Sequence, residues 1–449
     1  MFGFDTIGNA TLIVYDRKPI LATDPWICGE AYFGSWDLPY AIPPDQLDAI
    51  HKCDYIWFSH GHPDHLNPDS LDKLSQKKIL LPDHVGGWIK SGMQEAGLNV
   101  QVLPQKEWVQ LSPQVKVMCL ADFNQDATLL VAMGEHLIVD INDGKALGYK
   151  QFIRQISKVF KQRYLLALRN YGDGDMLNLW DDKGNYLFPP ASKKPSVGKM
   201  YTVLAKKYNG THIVPFSSFH RYQRKDSVWA SKYSTPLAAH SEGFDYPQAV
   251  LLPAFIRINF EKGSFEELHP ALRSWVVKDP AEFGDDWSDS LEADEFVLCE
   301  KYFKRKEHIA NKLGFINLTV GKKDNKIVLN PKIKKGITFE CPRHSLMTAI
   351  KHEIFDDLLL GNFMKVTLHN VKGLYPDFTP YVAKYADNGR AQTEAELNAY
   401  FKTYWERSTA AEFVLAMLHF KSEGIFRRVF SNQSELFQMS KKIYHRIAD

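Results

Sequence analysis

Short apolar runs punctuated by turn residues dominate the first 245 positions. MFGFDTIGNATLIVYD alternates like a strand, and the first forty residues hold the strand-like runs ATLIVYD and PILATD. Arg17-Lys18-Pro19 suits a tight turn between them, and the second run stops at Asp24-Pro25. DYIWFS is β-branched and aromatic and breaks off at SHGHPDHLNP, where Gly and Pro forbid both continued strand and immediate helix. Asn67 then stands as N-cap of NPDSLDKLSQ, with Leu71 and Leu74 at helical spacing. KKILLP, QVKVMCLA, TLLVAMG and HLIVDI read as further strands, the last ending at Asn142-Asp143-Gly144. The spacing of Phe152, Ile156, Val159 and Phe160 predicts a helix over GYKQFIRQISKVFKQRYLLAL. SVGKMYTVLAKKYNG is a second helix closed by glycine, followed by the strand THIVPFSS and then His220. Strands alternating with helices in this order predict an α/β fold.

Beyond residue 245 the texture changes. Strand pairs occupy 246–340: VLLPAFIRINF, then FINLTVGKKDNKIVLNP with its turn expected at Asp324-Asn325. Residues 341–449 read as mainly helical, with one strand-like run at FMKVTLHNV. The expected organisation is therefore 1–245, 246–340 and 341–449. No low-complexity linker or internal repeat separates them, which predicts packed interfaces between them.

Composition adds exclusions. The 449 residues are 45% hydrophobic and 24% charged, the profile of a globular chain of about two to three domains rather than of a disordered or coiled-coil one. Fifty-five Lys+Arg against 53 Asp+Glu leave +2, so no bulk electrostatic attraction to nucleic acid is expected. Five scattered cysteines with no CxxC fit a reducing compartment, and the expected location is cytoplasmic. The N-terminus lacks the basic and apolar regions of a signal peptide, and no run reaches the ~20 apolar residues of a membrane span.

The chemistry is concentrated in Ser59-His60-Gly61-His62-Pro63-Asp64-His65. Imidazoles two residues apart can grip one metal from a tight loop, while the Asp and third His face a second. A merely solvated loop would leave four metal-type ligands unexplained between a buried strand and a capped helix.

This HxHxDH array resembles the signature of the metallo-β-lactamase fold. That resemblance implies an αββα sandwich over 1–245, followed by an α/β extension and the mainly helical C-terminal region. It further implies that His60 and His62 hold one metal, that Asp64, His65 and His220 hold the other, and that Asp143 bridges them. Asp64 and Asp143 become the expected catalytic carboxylates. Asp24, closing PILATD, corresponds to the buried Asp that supports the ligand loop. Where most hydrolases of this fold place a further His, the chain reads CLADFNQDATLLV, which makes Asp122, or alternatively Asp126, the third ligand of the first metal. A carboxylate there weakens the metal as a Lewis acid and stabilises a higher oxidation state, favouring iron redox chemistry over zinc hydrolysis.

DPWICGEAYFGSWDLP, SHGHPDHLNPDSL, VPFSSFHRYQRKDSVWA, FDDLLLGNFMKVTL and TPYVAKYADNGRA resemble the non-Rieske portion of CMP-N-acetylneuraminate hydroxylases, in patches from about residue 5 to residue 395. A Rieske centre needs CxH and CxxH, and the chain has only Cys341-Pro-Arg-His344, so no Rieske cluster is expected and electrons must come from an external reductase or ferredoxin. The site logic is also similar to that of di-iron β-hydroxylases of this fold. The implied activity is a di-iron monooxygenase acting on a small anionic or activated metabolite. The alternatives are a two-metal zinc or manganese hydrolase, similar to lactonases and phosphoesterases of the fold, and a metal-stabilised binding module.

Substrate-binding candidates follow from position. Trp26 and Trp36, with Tyr32 and Phe33, lie just after Asp24 and suit either an aromatic lid or ordinary packing. Arg221 and Arg224 follow His220 and suit an anion clamp or a solvated face. Lys384 and Arg390 belong to the YVAKYADNGR patch, which would close the pocket from the C-terminal side. His84 suits either an approach to the site or a surface position. Asp173 and Asp175 read as a glycine-rich turn.

Overall fold

Alternate positions along the strands feed two different cores. Leu12 and Val14 enter the layer between two sheets, whereas Ile13 and Tyr15 of the same strand pack outward against helices. Leu129, Val131 and Met133 likewise face inward, and Leu130 and Ala132 outward. Strands covered on both faces lose their polar alternation, which is why these segments read as continuous apolar runs. The computed structural model describes residues 1–168, 177–193, 196–408, 411–415 and 418; the Asp173/Asp175 turn lies outside them.

The first sheet runs, edge to edge, Ser264–Glu267, Ile256–Asn259, Phe2–Ile7, Thr11–Asp16, Lys18–Thr23, Tyr55–Trp57, Lys78–Leu81 and Val100–Val102. The second runs Val250–Leu251, His212–Phe216, Gln162–Leu168, His136–Asn142, Ala127–Met133, Val115–Ala121 and Val109–Ser112. Helices Pro44–Lys52, Pro68–Leu74 and Trp88–Glu95 contribute Ala49, Ile50, Leu74 and Met93 to the outer face of the first sheet. Lys150–Ser157 and Val197–Tyr208 cover the second through Ile153, Tyr201 and Ala205. This is the expected αββα sandwich. Its sheets continue past residue 245, since strands at 250–251 and 256–267 pair into them.

A third sheet, Tyr186–Leu187, Asn178–Asp181, Lys365–His369, Gly336–Glu340, Phe315–Val320 and Lys323–Val328, packs against helices Ala293–Lys304, Arg343–His352 and Phe355–Leu360. It takes strands from either side of residue 340, and two from within the first 245 residues. The C-terminal stretch adds a π-helix at Pro380–Asn388 and the helix Glu394–Arg407, whose Thr393 and Glu396 form a capping box.

Two local expectations are corrected. The predicted helix over 148–168 stops at Ser157, and Gln162–Leu168 is a parallel strand in the second sheet. Tyr164 and Leu166 face one core and Leu165 and Ala167 the other, while Val159, counted as apolar helix face, is exposed. The hairpin turn falls at Gly321-Lys322, both at positive φ (58° and 64°), and not at Asp324-Asn325. Two consecutive positive φ values match the twist of flanking strands, and Asp324 instead accepts hydrogen bonds from Thr319 and Asn317.

Arg224 holds the sandwich to the C-terminal half. Its fully buried guanidinium pairs with Asp285 (2.7 Å) and Asp226 (2.9 Å), donates to the Phe33 carbonyl and lies 4.0 Å over the Phe363 ring. Asp285 in turn accepts from the Ser345 amide and hydroxyl. The guanidinium expected to clamp substrate is thus committed to structure. Arg224→Ala strands the buried Asp285 charge and is expected to destabilise the protein by about 3–5 kcal/mol, read from the fall in the urea unfolding midpoint; an unchanged midpoint contradicts this role.

Candidate metal centre

The ligand loop begins where the strand Tyr55–Trp57 ends, and its shape is set by Asp24 at the end of the neighbouring strand. Asp24 is fully buried at φ 39°, a left-handed backbone uncommon for a non-glycine residue. Its carboxylate accepts from the Ser59 amide (2.7 Å), the Ser59 hydroxyl (2.7 Å), the Asn142 side-chain amide (2.6 Å) and His65 Nδ1 (3.1 Å). It thereby ties together the ends of three strands from both sheets. Asn142, also left-handed at φ 56°, leads directly into Asp143.

The hydrogen bonds assign the histidine tautomers. Because Asp24 accepts at His65 Nδ1, His65 Nε2 is the bare nitrogen, lying 3.3 Å from Asp64 Oδ2 and 3.4 Å from Asp143 Oδ2. Ser59 spends its hydroxyl proton on Asp24 and so accepts from His60 Nδ1 (2.9 Å), leaving His60 Nε2 bare. His62 Nε2 lies 3.1 Å from Asp356 Oδ2, leaving Nδ1 bare and 2.8 Å from His60 Nε2. Two lone pairs at that distance repel unless a cation or a proton lies between them. Ligand atoms of His60, His65 and Asp143 fall within 4.8 Å of one another. Donor type, tautomer and convergence all fit a metal ion.

Charge tells the same story. Burial drives the His60 pKa well below 6.5. Burial opposes charge on His65 too, but Asp64 and Asp143 beside it raise its pKa well above that value. Burial would raise both carboxyls, yet His65 holds Asp64 and Asp143 below the usual carboxylate range. The cluster demands positive charge, which divalent ions supply.

Other expected residues are arranged around this core. His220 stacks on Trp36 (ring centroids 3.4 Å apart, planes at 5°), Trp36 packs on Tyr32 (4.3 Å), and the Tyr32 hydroxyl donates to Asp64 Oδ1 (2.6 Å). Trp26 and Trp36 are core side chains of this aromatic cluster. Asp122 uses its two oxygens to accept from the Asn124 and Leu147 amides, and burial together with neighbouring Asp126 pushes its pKa up to about 7. Asp126 accepts from the Asn124 side chain. Arg221 is taken by Asp37 (2.6 Å) and by the Arg273 and Ser274 carbonyls, so its guanidinium, like that of Arg224, is engaged away from a substrate. His84 Nε2 donates to the Ser59 carbonyl (3.2 Å), buttressing the ligand loop; burial lowers its pKa to about 4.

The C-terminal region closes the site. Lys384 of the π-helix lies 3.8 Å from Asp356, and its pKa, which burial would lower, is raised by Asp126, Asp356, Asp143 and Asp122. A cleft beside His62 is lined by Gly61, Trp88, Glu353, Asp357 and Asn388. Arg390 lies 5.8 Å over the Trp88 ring and pairs with Glu353. Asp356 and Asp357 escaped the sequence reading. Their only signal was the FDDLLL patch, where two acids in a first turn look like ordinary complements to the helix dipole.

A family profile, the β-lactamase superfamily domain, matches residues 23–151. The chain is similar to a cytidine monophosphate-N-acetylneuraminic acid hydroxylase of Asterias rubens, with 32% identity over 133 residues, which is 28% of this chain and 20% of that one. Matches to the relatives of Asterias rubens, Cricetulus griseus and Mus musculus span 20–23% of those proteins' length. Among solved structures, a metallo hydrolase of Ignicoccus hospitalis aligns at 12% identity and TM-score 0.38, covering 59% of this chain and 98% of that one. A diiron β-hydroxylase of Streptomyces venezuelae aligns at 12% identity and TM-score 0.33, covering 48% and 44%. Residues 23–151 thus match the β-lactamase superfamily domain, within a sandwich of metallo-β-lactamase fold, and over part of its length the chain is similar to the cytidine monophosphate-N-acetylneuraminic acid hydroxylases.

Proposed function

We propose that the protein is a non-haem di-iron monooxygenase that hydroxylates a small anionic or activated metabolite. What supports this reading is the sequence of the loop 122–126, which holds two carboxylates, Asp122 and, as the alternative, Asp126, and no imidazole where the third ligand of the first metal is expected. Carboxylate ligation favours a metal that must change oxidation state. Similarity to known hydroxylases supports the same reading.

In this scheme His60, His62 and Asp122 or Asp126 would hold one iron and Asp64, His65 and His220 the other, with Asp143 available to both. The reduced iron pair, when bound, supplies the activation of dioxygen. The chain's own groups do the rest. Tyr32, its pKa raised far above 10 by burial and by Asp64, keeps its proton and fixes Asp64 through the hydrogen bond. Lys384 balances the carboxylates of Asp126, Asp356, Asp143 and Asp122. Of the residues expected to bind substrate, Lys384 and Arg390 pair with Asp356 and Glu353, two acids that line the cleft beside His62, and Trp88 offers that cleft an apolar wall. Electrons come from an external reductase or ferredoxin. Free cysteines at all five positions accord with a reducing, cytoplasmic setting.

Protein purified without oxygen is expected to carry two irons per chain with the Mössbauer signature of a coupled pair, and to consume O₂ once reduced. Two zincs and no response to O₂, with turnover of a lactone or phosphoester, would replace this reading with the two-metal hydrolase. Asp24→Ala leaves the Ser59 amide and His65 Nδ1 without their acceptor. It should weaken iron binding about 10–100-fold in chelator competition, and wild-type affinity in that variant would remove Asp24 from the site's support.

A further inference from the structure

We infer that Asp356, on the C-terminal helix Phe355–Leu360, is a positioning residue for the metal ligand His62, so that the metal centre is completed from outside the β-lactamase superfamily domain. This rests on the proposed metal-binding reading and extends it to a residue 294 positions away from the histidine it would orient.

The argument is geometric. Of the three loop histidines, His60 and His65 are oriented within the sandwich, through Ser59 and Asp24. His62 is oriented by Asp356 Oδ2, at 3.1 Å from Nε2, with the two side chains 13% and 12% exposed. A carboxylate accepts only, so the proton sits on Nε2 and the Nδ1 lone pair is aimed at His60 Nε2, 2.8 Å away. A carboxylate behind an imidazole also makes it a stronger donor. Asp356 is itself fixed: it lies in the first turn of its helix, and Lys384 Nζ stands 3.8 Å from the same oxygen. Tyr32 packs 6.1 Å from the His62 ring, so the imidazole is confined on that side too.

Cobalt(II) titration of the metal-free full chain, followed by its visible spectrum and by chelator competition, tests this. Wild type is expected to bind two ions. Asp356→Ala should weaken one of them about 10–100-fold and leave the other unchanged, because Asp64, His65 and His220 do not depend on Asp356. In a His62→Ala background the same substitution should have little further effect, which a merely structural role would not produce. Near-isosteric Asp356→Asn, which carries the test if alanine does not fold, keeps an acceptor but loses the charge that strengthens the bond; its affinity should fall between wild type and alanine. Wild-type affinity for both ions in folded Asp356→Ala or Asp356→Asn overturns the inference. Iron content and O₂ reactivity play no part in this readout, so a zinc enzyme would refute the hydroxylase and leave the role of Asp356 standing.

Discussion

The site is built around one buried anion. Asp24 takes four hydrogen bonds from Ser59, Asn142 and His65, and in doing so fixes the loop after Tyr55–Trp57, the exit of His136–Asn142 and the tautomer of a metal ligand. An isolated carboxylate buried at this depth would be prohibitive, and here it is met by four donors from Ser59, Asn142 and His65. The left-handed backbones of Asp24 and Asn142 persist because these bonds over-determine them. Asp140, also buried, has its pKa pushed well above the usual carboxylate range by burial and by Asp24. One charge at the strand ends is compensated, and a second would not be.

That anion explains why the cluster asks for cations. Asp64 and Asp143 stand on the other side of the same imidazole, facing its Nε2, where only an added proton or a cation would bring positive charge between them. The bare nitrogens of His60 and His62 face each other, so protonation cannot be extended across the whole array. Divalent ions answer both demands together. The loop 122–126 is held from yet another quarter: Gln125 donates to the Tyr400 and Tyr404 hydroxyls, and Tyr400 donates to the Phe123 carbonyl. Gly86 adopts φ 93° where a Cβ would lie 2.7 Å from the Asn388 carbonyl, so the loop carrying His84 also closes against the C-terminal π-helix. The sandwich supplies ligands, and the C-terminal layer aims a good share of them.

Which parts were legible in the sequence follows from this division. HxHxDH, Asp24 and Asp143 could be read because they sit at strand ends, where an apolar run stops and a polar residue must do something. The strand Gln162–Leu168 was hidden because both its faces are buried, which erases the alternation that separates strand from helix. Arg221 and Arg224 were read as an anion clamp because their anions, Asp37 and Asp285, lie more than 60 residues away along the chain. Asp356 had the opposite problem. Its partner is equally remote, and its own surroundings in sequence look like any helix start.

The engaged arginines and the buried aromatics also decide the side from which a substrate can come. Trp36 stacks flat on His220, Tyr32 covers Asp64, and Trp26 is wholly buried behind them, so the half of the centre containing Asp64 and His220 is sealed. The opposite half borders the cleft at Gly61 and His62, where Trp88 supplies an apolar face and Glu353, Asp356, Asp357 and Asp387 an acidic lining, with Lys384 paired to Asp356 and Arg390 to Glu353. In the proposed reaction the substrate would therefore approach from the side of His60 and His62. Sealing one half leaves the open half as the side of approach, bordered by residues of the C-terminal layer and the Trp88 helix. A chain that keeps the sandwich and its ligand loop but changes that layer could then change substrate without disturbing the charge balance around Asp24.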